Sequence, residues 1–214
     1  SRGLGDVYKR QMKKYHFGDR RPKLDLEAIW KLKKLQGAPG ARNAQFANNN
    51  VIKKYRLGFS LGGKHSLKDA MSQRGIDLSL LNEAGLVRVS DQNGEHYDYF
   101  RNRVMFPIGD RRGQVIAFGA RTIGESQPKY LNSPETPLFQ KGRILYGTSQ
   151  ARESSSQQKE IIVTEGYMDV IALAEAGIAN AVAPLGTALT EDQINQLMIE
   201  VSDDDKEDIK FAQK

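Results

Sequence analysis

The most informative pattern of hydrophobic and polar positions lies in the last third of the chain. Residues 161–164 are all β-branched, which predicts a buried strand of a parallel sheet. A helix-forming run follows and ends at Gly177, and the apolar residues 181–183 predict a second buried strand. Another helix is predicted to begin near Thr190, which is a suitable N-cap residue. This order is that of a βαβ unit, so an α/β fold with a parallel sheet is predicted here.

The preceding region, residues 51–150, has shorter patterns that predict a mixed α+β lobe. Helices are predicted at 65–74 and 78–84, a short strand at 86–89, and the two strands of a hairpin at 99–108 and 114–121. Arg111 and Arg112 are interpreted as solvated residues of the hairpin turn. Residues 127–139 contain prolines and other turn formers, which predict an ordered loop rather than a helix or a central strand.

The two ends of the chain and one internal stretch are polar. Residues 1–12 have no hydrophobic period and are interpreted as an extraneous extension, and 13–50 form an N-terminal segment of uncertain structure. Within that segment a short amphipathic helix is predicted at 24–35 and a polar loop at 41–50. Residues 151–159, with three consecutive serines, predict a linker to a second unit at 160–214.

Two carboxylates follow the first strand of the βαβ unit. Glu165 comes directly after the strand, at the edge where open α/β sheets bind ligands, and Asp169 follows about one helical turn later. Two such carboxylates repel each other unless a cation lies between them, and hard oxygen ligands favour Mg²⁺. The alternative is that Glu165 only stabilises the N-terminus of the following helix.

Charge and composition narrow the choice of partner. The 214 residues carry a net charge of +6, and 39% are hydrophobic, which is enough for a globular core. Basic surface next to an acidic pocket suggests a polyanionic partner, although charge alone does not establish one. Because the chain has no cysteine, disulfides and Cys-based zinc sites are excluded. His16, His65 and His96 lack the spacing of metal ligands.

The same residue pattern excludes a membrane function. No apolar run approaches the length that spans a bilayer, and no signal-peptide pattern is present. We therefore expect a cytoplasmic protein without a membrane partner.

Several motifs, in the same order, resemble the polymerase core of bacterial DnaG-type primases. Residues 165–170, Glu-Gly-Tyr-Met-Asp-Val, together with 184–188, Pro-Leu-Gly-Thr-Ala, resemble the first half of the Toprim module. Residues 128–136, Pro-Lys-Tyr-Leu-Asn-Ser-Pro-Glu-Thr, resemble a primase signature, and residues 51–59 resemble the helix that leads into a Leu-Gly-Phe strand. The hairpin is similar to the Arg-x-Arg-x-x-Phe-Pro and Phe-Gly-x-Arg strands of the family.

The resemblance implies roles for individual residues. Glu165 would be a metal ligand or act in proton transfer, with Asp169 as its support or co-ligand. The residues implied to contact template or nucleotide are Arg101, Arg103, Arg121, Lys129, Asn132 and Lys141. For Asn132 the alternative is that its side chain caps the local turn.

The resemblance also implies an activity and its partners. Primases join ribonucleoside triphosphates into RNA primers on a single-stranded DNA template, use Mg²⁺ or Mn²⁺, and in the full-length protein work with the replicative helicase. The family's zinc-binding domain, its Tyr-Leu-x-x-Arg-Gly helix and its Asp-x-Asp metal ligands are not found here. Asp203-Asp204-Asp205 is interpreted as a solvated tail. We therefore interpret the chain as a fragment that lacks activity on its own.

Two other functions remain open from the sequence. The Toprim fold also occurs in topoisomerases and in some nucleases, which would cleave DNA. A fragment without the second pair of acids could also be a non-catalytic module that binds single-stranded DNA.

Overall fold

The computed structural model describes residues 49–63, 66–124, 126–186 and 188–201. Its helices are α1 (Asn49–Tyr55), α2 (Ser66–Ser72), α3 (Leu78–Glu83), α4 (Thr148–Gln158), α5 (Tyr167–Glu175) and α6 (Glu191–Val201). Its strands are β1 (Gly58–Ser60), β2 (Val87–Val89), β3 (His96–Asp98), β4 (Arg103–Gly109), β5 (Val115–Thr122), β6 (Tyr130–Asn132), β7 (Ile162–Val163) and β8 (Ala181–Val182). The mixed helix and sheet content confirms the predicted α/β class.

A four-stranded antiparallel sheet with the order β1-β4-β5-β6 forms the centre of the described structure. The long strands β4 and β5 pair with Val104 opposite Arg121 and Phe106 opposite Gly119. Successive side chains of β4 enter different hydrophobic clusters, Met105 on one face and Phe106 on the other. Because both faces of these strands are covered, the hairpin consists mostly of apolar residues.

The first face is covered by α2, α3 and the β2–β3 hairpin. Leu67 and Leu81 of the two helices are buried in the same cluster as Met105. Asp98, at the end of β3, is 1% exposed, and its carboxylate accepts hydrogen bonds from the N–H groups of Leu67 and, at 2.8 Å, of Lys68. These N–H groups have no partner within α2, so Asp98 caps a helix that is distant in sequence.

The second face is covered by the predicted βαβ unit. Its order is confirmed and β8 is buried as predicted, but β7 is not a buried strand, since Ile162 is half-buried and Val163 is 39% exposed. Strands β7 and β8 pair in parallel, with Ile162 opposite Ala181, and α5 connects them. Helix α5 buries Tyr167, Val170 and Ile171 in the cluster that lies on this face of the central sheet.

Helix α6 begins where the sequence predicts. Thr190 Oγ1 accepts a hydrogen bond from the N–H of Gln193 at 3.2 Å, and Gln193 Oε1 accepts one from the N–H of Thr190 at 3.1 Å. This reciprocal pair is a capping box. The longest described helices, α4 and α6, have 11 residues each, so none of the described helices could cross a bilayer.

The predicted linker at 151–159 is wrong, because this segment is most of α4. Ala151 and Ser155 are buried four residues apart, which places them on one face of the helix. Ala151 packs in a small hydrophobic cluster with Val182 and Leu197. Since the buried face consists of small and polar side chains, the sequence shows no hydrophobic period that would have revealed the helix.

Two smaller expectations also change. Asn49 and Asn50, predicted to end a polar loop, belong to α1, and Tyr130–Asn132 of the predicted ordered loop form the edge strand β6. The extension at 1–12, the helix at 24–35, the acidic run at 203–205, His16 and His65 lie outside the described residues.

Candidate nucleic-acid and metal site

Glu165 and Asp169 lie where β7 turns into α5, as the sequence predicts. Thr164 fixes the end of the strand, since its N–H and its hydroxyl donate to Val182 O at 2.8 and 3.1 Å. Glu165 follows directly and is exposed, as is Asp169 in the first turn of α5. A Cβ atom added at Gly166 would lie 3.7 Å from Asp169 Oδ2, so the Asp169 carboxylate lies beside the turn that carries Glu165.

Tyr167, between the two acids in sequence, points in the opposite direction, into the core. Its ring stacks on Phe106 at a centroid distance of 5.2 Å and meets Tyr146 edge to face at 4.8 Å. The ring also lies against the backbone of Gly119 in the central strand β5. Burial raises the pKa of Tyr167, and a hydrogen bond to Asn132 partly offsets that rise. The phenol is therefore a neutral packing group that anchors the acidic turn to the sheet.

Asn132 joins the edge of the sheet to the βαβ unit. Its Oδ1 accepts a hydrogen bond from the hydroxyl of Tyr167, and its Nδ2 donates to Leu185 O at 2.8 Å. Both partners are distant in sequence, so Asn132 is a connection between elements rather than a cap of the local turn. Its contact with nucleotide remains a prediction.

An exposed aromatic ring lies close to two cations at the edge of the sheet. Arg121 of β5 is directly opposite Tyr130 of β6, and its Cζ lies 5.7 Å from the centre of the Tyr130 ring. Lys129 Nζ lies 5.9 Å from the same ring, which is 45% exposed. Such a combination suits a single strand, because phosphates contact the cations while a base stacks on the ring.

Arg103 does not belong to this exposed surface, which corrects the expectation from the sequence. The side chain is 6% exposed, and its Nη1 donates to the carbonyl oxygens of Pro128 at 2.7 Å and Lys129 at 3.5 Å. Burial lowers the pKa of its guanidinium. Arg103 therefore holds the loop that presents Lys129. Arg101 is exposed, with its Cζ 4.9 Å from the centre of the Tyr97 ring.

Lys141 begins a short 3₁₀ helix, Lys141–Arg143, that α6 holds in place. The buried side chain of Gln193 donates through Nε2 to the carbonyl oxygens of Lys141 and Ile144, both at 2.9 Å. An exposed ion pair joins Arg143 Nε to Asp192 Oδ2 at 2.9 Å. These contacts fix the backbone of Lys141 while its side chain is half-buried.

Three residues that organise the site were not among the predicted site residues. Tyr130 provides the exposed ring, Tyr167 anchors the acidic turn, and Gln193 holds the segment of Lys141. The spacing Thr190-x-x-Gln193 is a capping-box signal that could have identified Gln193. The tertiary contacts of Tyr130 and Tyr167 have no comparable local signal.

The donor set at the acidic turn fits a divalent cation. Glu165 and Asp169 offer carboxylate oxygens, and Mg²⁺ is commonly bound by one or two carboxylates while water and substrate phosphates complete its coordination. Within the described residues, no group of three His, Asp or Glu side chains comes together to hold a metal. The two acids therefore fit an ion that shares its coordination with phosphate and water.

Comparison with known proteins identifies relatives of both halves of the chain. The family model for the N-terminal domain of the DNA primase catalytic core matches residues 42–152, and the Toprim domain model matches residues 159–211. The DNA primase of Pseudomonas aeruginosa is 50% identical over 147 residues, which are 69% of this chain and 22% of the relative. The DNA primase of Halalkalibacterium halodurans is 46% identical over 146 residues, 68% of this chain and 24% of the relative.

A solved structure agrees with these relatives. A DnaG primase catalytic domain bound to ssDNA has a TM-score of 0.78 and 37% sequence identity, and the match covers 93% of this chain and 60% of that one. The chain thus spans about a quarter of the length of the curated relatives. The region before the Toprim match is that of the primase core, which favours primase over the topoisomerases and nucleases that share the Toprim fold. The primase-core model alone covers more than half of the chain, and the chain therefore belongs to the family of bacterial DnaG-type DNA primases.

Proposed function

We propose that this chain contributes to the catalytic core of an enzyme that makes short RNA primers on single-stranded DNA during replication. The observation that carries the proposal is the bridge through Asn132, which ties the edge strand with the Arg121–Tyr130–Lys129 surface to the turn with Glu165 and Asp169. A template-binding surface and an acidic site are thereby held on connected elements. The ssDNA bound to the related DnaG catalytic domain supports this assignment of the template.

The basic side chains have separate roles in the proposed reaction. Arg101, Arg121, Lys129 and Lys141 contact phosphates of the template or of the incoming ribonucleoside triphosphate. Tyr130 supports a template base by stacking on its exposed ring. Arg103 acts indirectly, because its partners in the structure are carbonyl oxygens of the loop that presents Lys129. Asn132 positions the surface through its protein contacts, in addition to its predicted contact with nucleotide.

The acidic side chains serve the transfer step, in which a primer 3′-hydroxyl attacks the α-phosphate of a ribonucleotide and pyrophosphate leaves. Glu165 and Asp169 would hold the Mg²⁺ or Mn²⁺ ion. When bound, such an ion offsets the negative charge that grows on the phosphoryl oxygens. Since the chain spans about a quarter of its relatives, the activity is proposed for the full-length protein and not for these 214 residues alone. A cytoplasmic location and a replicative-helicase partner remain predictions.

The test separates synthesis from binding in the full-length protein. Glu165→Gln should abolish primer synthesis and leave the affinity for single-stranded DNA unchanged, whereas Lys129→Ala should weaken that affinity and flatten its salt dependence by roughly 0.7 in the log–log slope. Primer synthesis is measured by ribonucleotide incorporation and affinity by fluorescence anisotropy. Glu160→Gln is the matched control for the first variant, because Glu160 is exposed and precedes β7.

The possible outcomes distinguish the remaining alternatives. Undiminished synthesis by Glu165→Gln would remove Glu165 from the reaction. A wild-type protein that binds single-stranded DNA but never incorporates ribonucleotides would instead be a non-catalytic binding module. Unchanged affinity in Lys129→Ala would contradict the proposed template surface.

A further inference from the structure

A second basic surface lies at the closed end of the β4–β5 hairpin. There the end of α1, the hairpin turn and the first turns of α4 enclose a groove of about 490 Å³. Its lining carries five cationic side chains and one carboxylate, that of Glu153. The cations are Lys54, Arg56, Arg111, Arg112 and Arg152. A concave surface with this excess of one charge focuses the potential and attracts anions.

The fold fixes the walls of this groove through specific contacts. Arg56 Nη1 donates to Gly113 O at 3.2 Å, which joins the end of α1 to the hairpin turn. The turn itself is held by Asp110 Oδ1, which accepts hydrogen bonds from the N–H groups of Arg112 at 2.9 Å and Gln114 at 2.8 Å. The turn packs against α4, since a Cβ atom added at Gly113 would lie 3.8 Å from the Ser149 side chain. The walls of the groove are therefore held in place by specific hydrogen bonds and packing contacts.

The N-terminal end of α4 adds to the positive potential. Ser149 and Gln150, in its first turn, line the groove, and the first N–H groups of a helix favour a negatively charged ligand. This contribution supports the five cationic side chains and does not stand alone.

The chemistry of the lining favours nucleic-acid phosphate over an acidic protein segment. Four of the five cations are arginines, whose planar fork binds phosphate oxygens bidentately. The apolar residues that touch the groove, Tyr55, Pro107 and Val115, are buried. A protein segment would need exposed apolar anchors to bind stably, and this groove does not offer them among its described residues.

The groove is separate from the proposed template surface. Arg121 lies near one end of β5 and the hairpin turn lies at the other, and the strand has 8 residues. Val115, which lines the groove, comes six positions before Arg121, so at roughly 3.3 Å per residue the two surfaces are roughly 20 Å apart. A nucleic acid of several nucleotides is needed to reach from one to the other.

We propose that the groove binds the phosphate backbone of nucleic acid, independently of sequence, as a second contact for the strand held near Tyr130. This inference rests on the proposed function, because it assumes that the protein binds single-stranded DNA near Tyr130. It assigns Arg111 and Arg112 to a binding surface, in place of the solvated turn that the sequence predicts.

The test uses single-stranded DNA of two lengths with the full-length protein. The double variant Lys54→Glu, Arg112→Glu should bind an oligonucleotide of about 20 nucleotides about tenfold more weakly and one of about 3 nucleotides unchanged, because only the longer strand reaches both surfaces. The control Lys53→Glu, Arg74→Glu has the same change in charge at exposed positions outside the groove, and should bind both lengths like wild type. Lys53 is the immediate neighbour of Lys54 on α1, which makes the comparison local.

The longer strand tests the groove, and the shorter strand tests the template surface. Equal affinities of the groove variant and the control for the longer strand would overturn the proposal. Lys129→Ala should lower the affinity for the shorter strand. An unchanged affinity in that variant would contradict the template surface and not the groove. Thermal unfolding of each variant, with Lys54→Gln, Arg112→Gln as a milder pair, separates a binding defect from misfolding.

Discussion

Gly119 shows how one missing side chain permits the architecture of the site. It lies in the middle of β5, and a Cβ atom there would be 2.5 Å from the ring of Tyr167. The ring cannot easily move away, because it is stacked on Phe106 and hydrogen-bonded to Asn132. Glycine at this position lets α5 approach the sheet closely and brings Glu165, two residues before Tyr167, to its place.

Gly119→Ala should therefore lower the free energy of unfolding by about 2 to 3 kcal/mol, because overpacking displaces the Tyr167 ring from a filled site. Urea unfolding followed by circular dichroism measures the loss. Gly124→Ala is the control, since a Cβ atom there meets no heavy atom within 4 Å, and it should change stability by less than about 0.5 kcal/mol. Equal stability of the two variants would contradict the close packing described here.

The residue scale also shows where prediction from sequence succeeds and fails. Glu165 and Asp169 could be placed because the end of an apolar strand and the spacing of one helical turn are local properties. The family resemblance implies that Arg103 belongs to the basic surface, and its neighbours Arg101 and Val104 give no sign of burial by a distant loop. Its partners, the carbonyl oxygens of Pro128 and Lys129, become neighbours only when β6 pairs with β5.

Among the helices and strands, α4 shows most clearly why an element can escape prediction from the sequence. The helices and strands that are rich in apolar residues were predicted nearly where they occur, but α4 contains Ser154, Ser155 and Ser156 and looked like a linker. What identifies it is the contrast between neighbouring positions. Ser155 is buried, while Ser156 is exposed.

The contrast gives a direct test of the helix. Ser155→Lys buries an unpaired charge and should lower the free energy of unfolding by about 3 kcal/mol or more. Ser156→Lys should change it by less than about 0.5 kcal/mol. The Ser155 hydroxyl has no hydrogen-bond partner in the described structure, so Ser155→Ala should stabilise by about 0.5 to 1 kcal/mol. Thermal and urea unfolding of the three variants measure the differences. A linker would tolerate both lysines equally well.

At the scale of the whole molecule, three buried tyrosines join elements from both halves of the chain. Tyr55 of α1, Tyr146 before α4 and Tyr167 of α5 pack together, with Tyr55 and Tyr146 at a centroid distance of 5.9 Å. Burial raises the pKa of Tyr55 to about 12, and it raises those of Tyr146 and Tyr167 as well. The cluster thus makes folding favour the neutral phenols.

The sign of the pH dependence follows from these raised values. An unfolded tyrosine has a pKa of about 10. Stability from the neutral phenols is complete below that pH and is lost as the pH rises toward 12, because the unfolded chain releases protons first. Between about pH 10 and 12, the free energy of unfolding of Tyr55→Phe should therefore fall by about 2 kcal/mol less than that of the wild type. Identical pH profiles for Tyr55→Phe and wild type would contradict the cluster.

Whole-molecule features were the least accessible to prediction. The order β1-β4-β5-β6 and the position of α5 on that sheet depend on contacts between residues far apart in the chain. The family resemblance supplied the overall class, but it could not supply the capping of α2 by Asp98 or the connection through Asn132. These contacts involve polar groups whose partners cannot be inferred from local periodicity.

The amide of Asn132 limits how far the template surface and the acidic turn can shift relative to each other. Its oxygen and nitrogen contact a hydroxyl on one side and a carbonyl on the other, and a carboxylate or an apolar side chain of equal size could satisfy only one of them or neither. The alignment of template and acidic turn then depends on the length of a single side chain. Since a misplacement of about 1 Å can reduce a rate by about a hundredfold, the contacts that Asn132 makes with protein groups can by themselves limit the rate of the reaction.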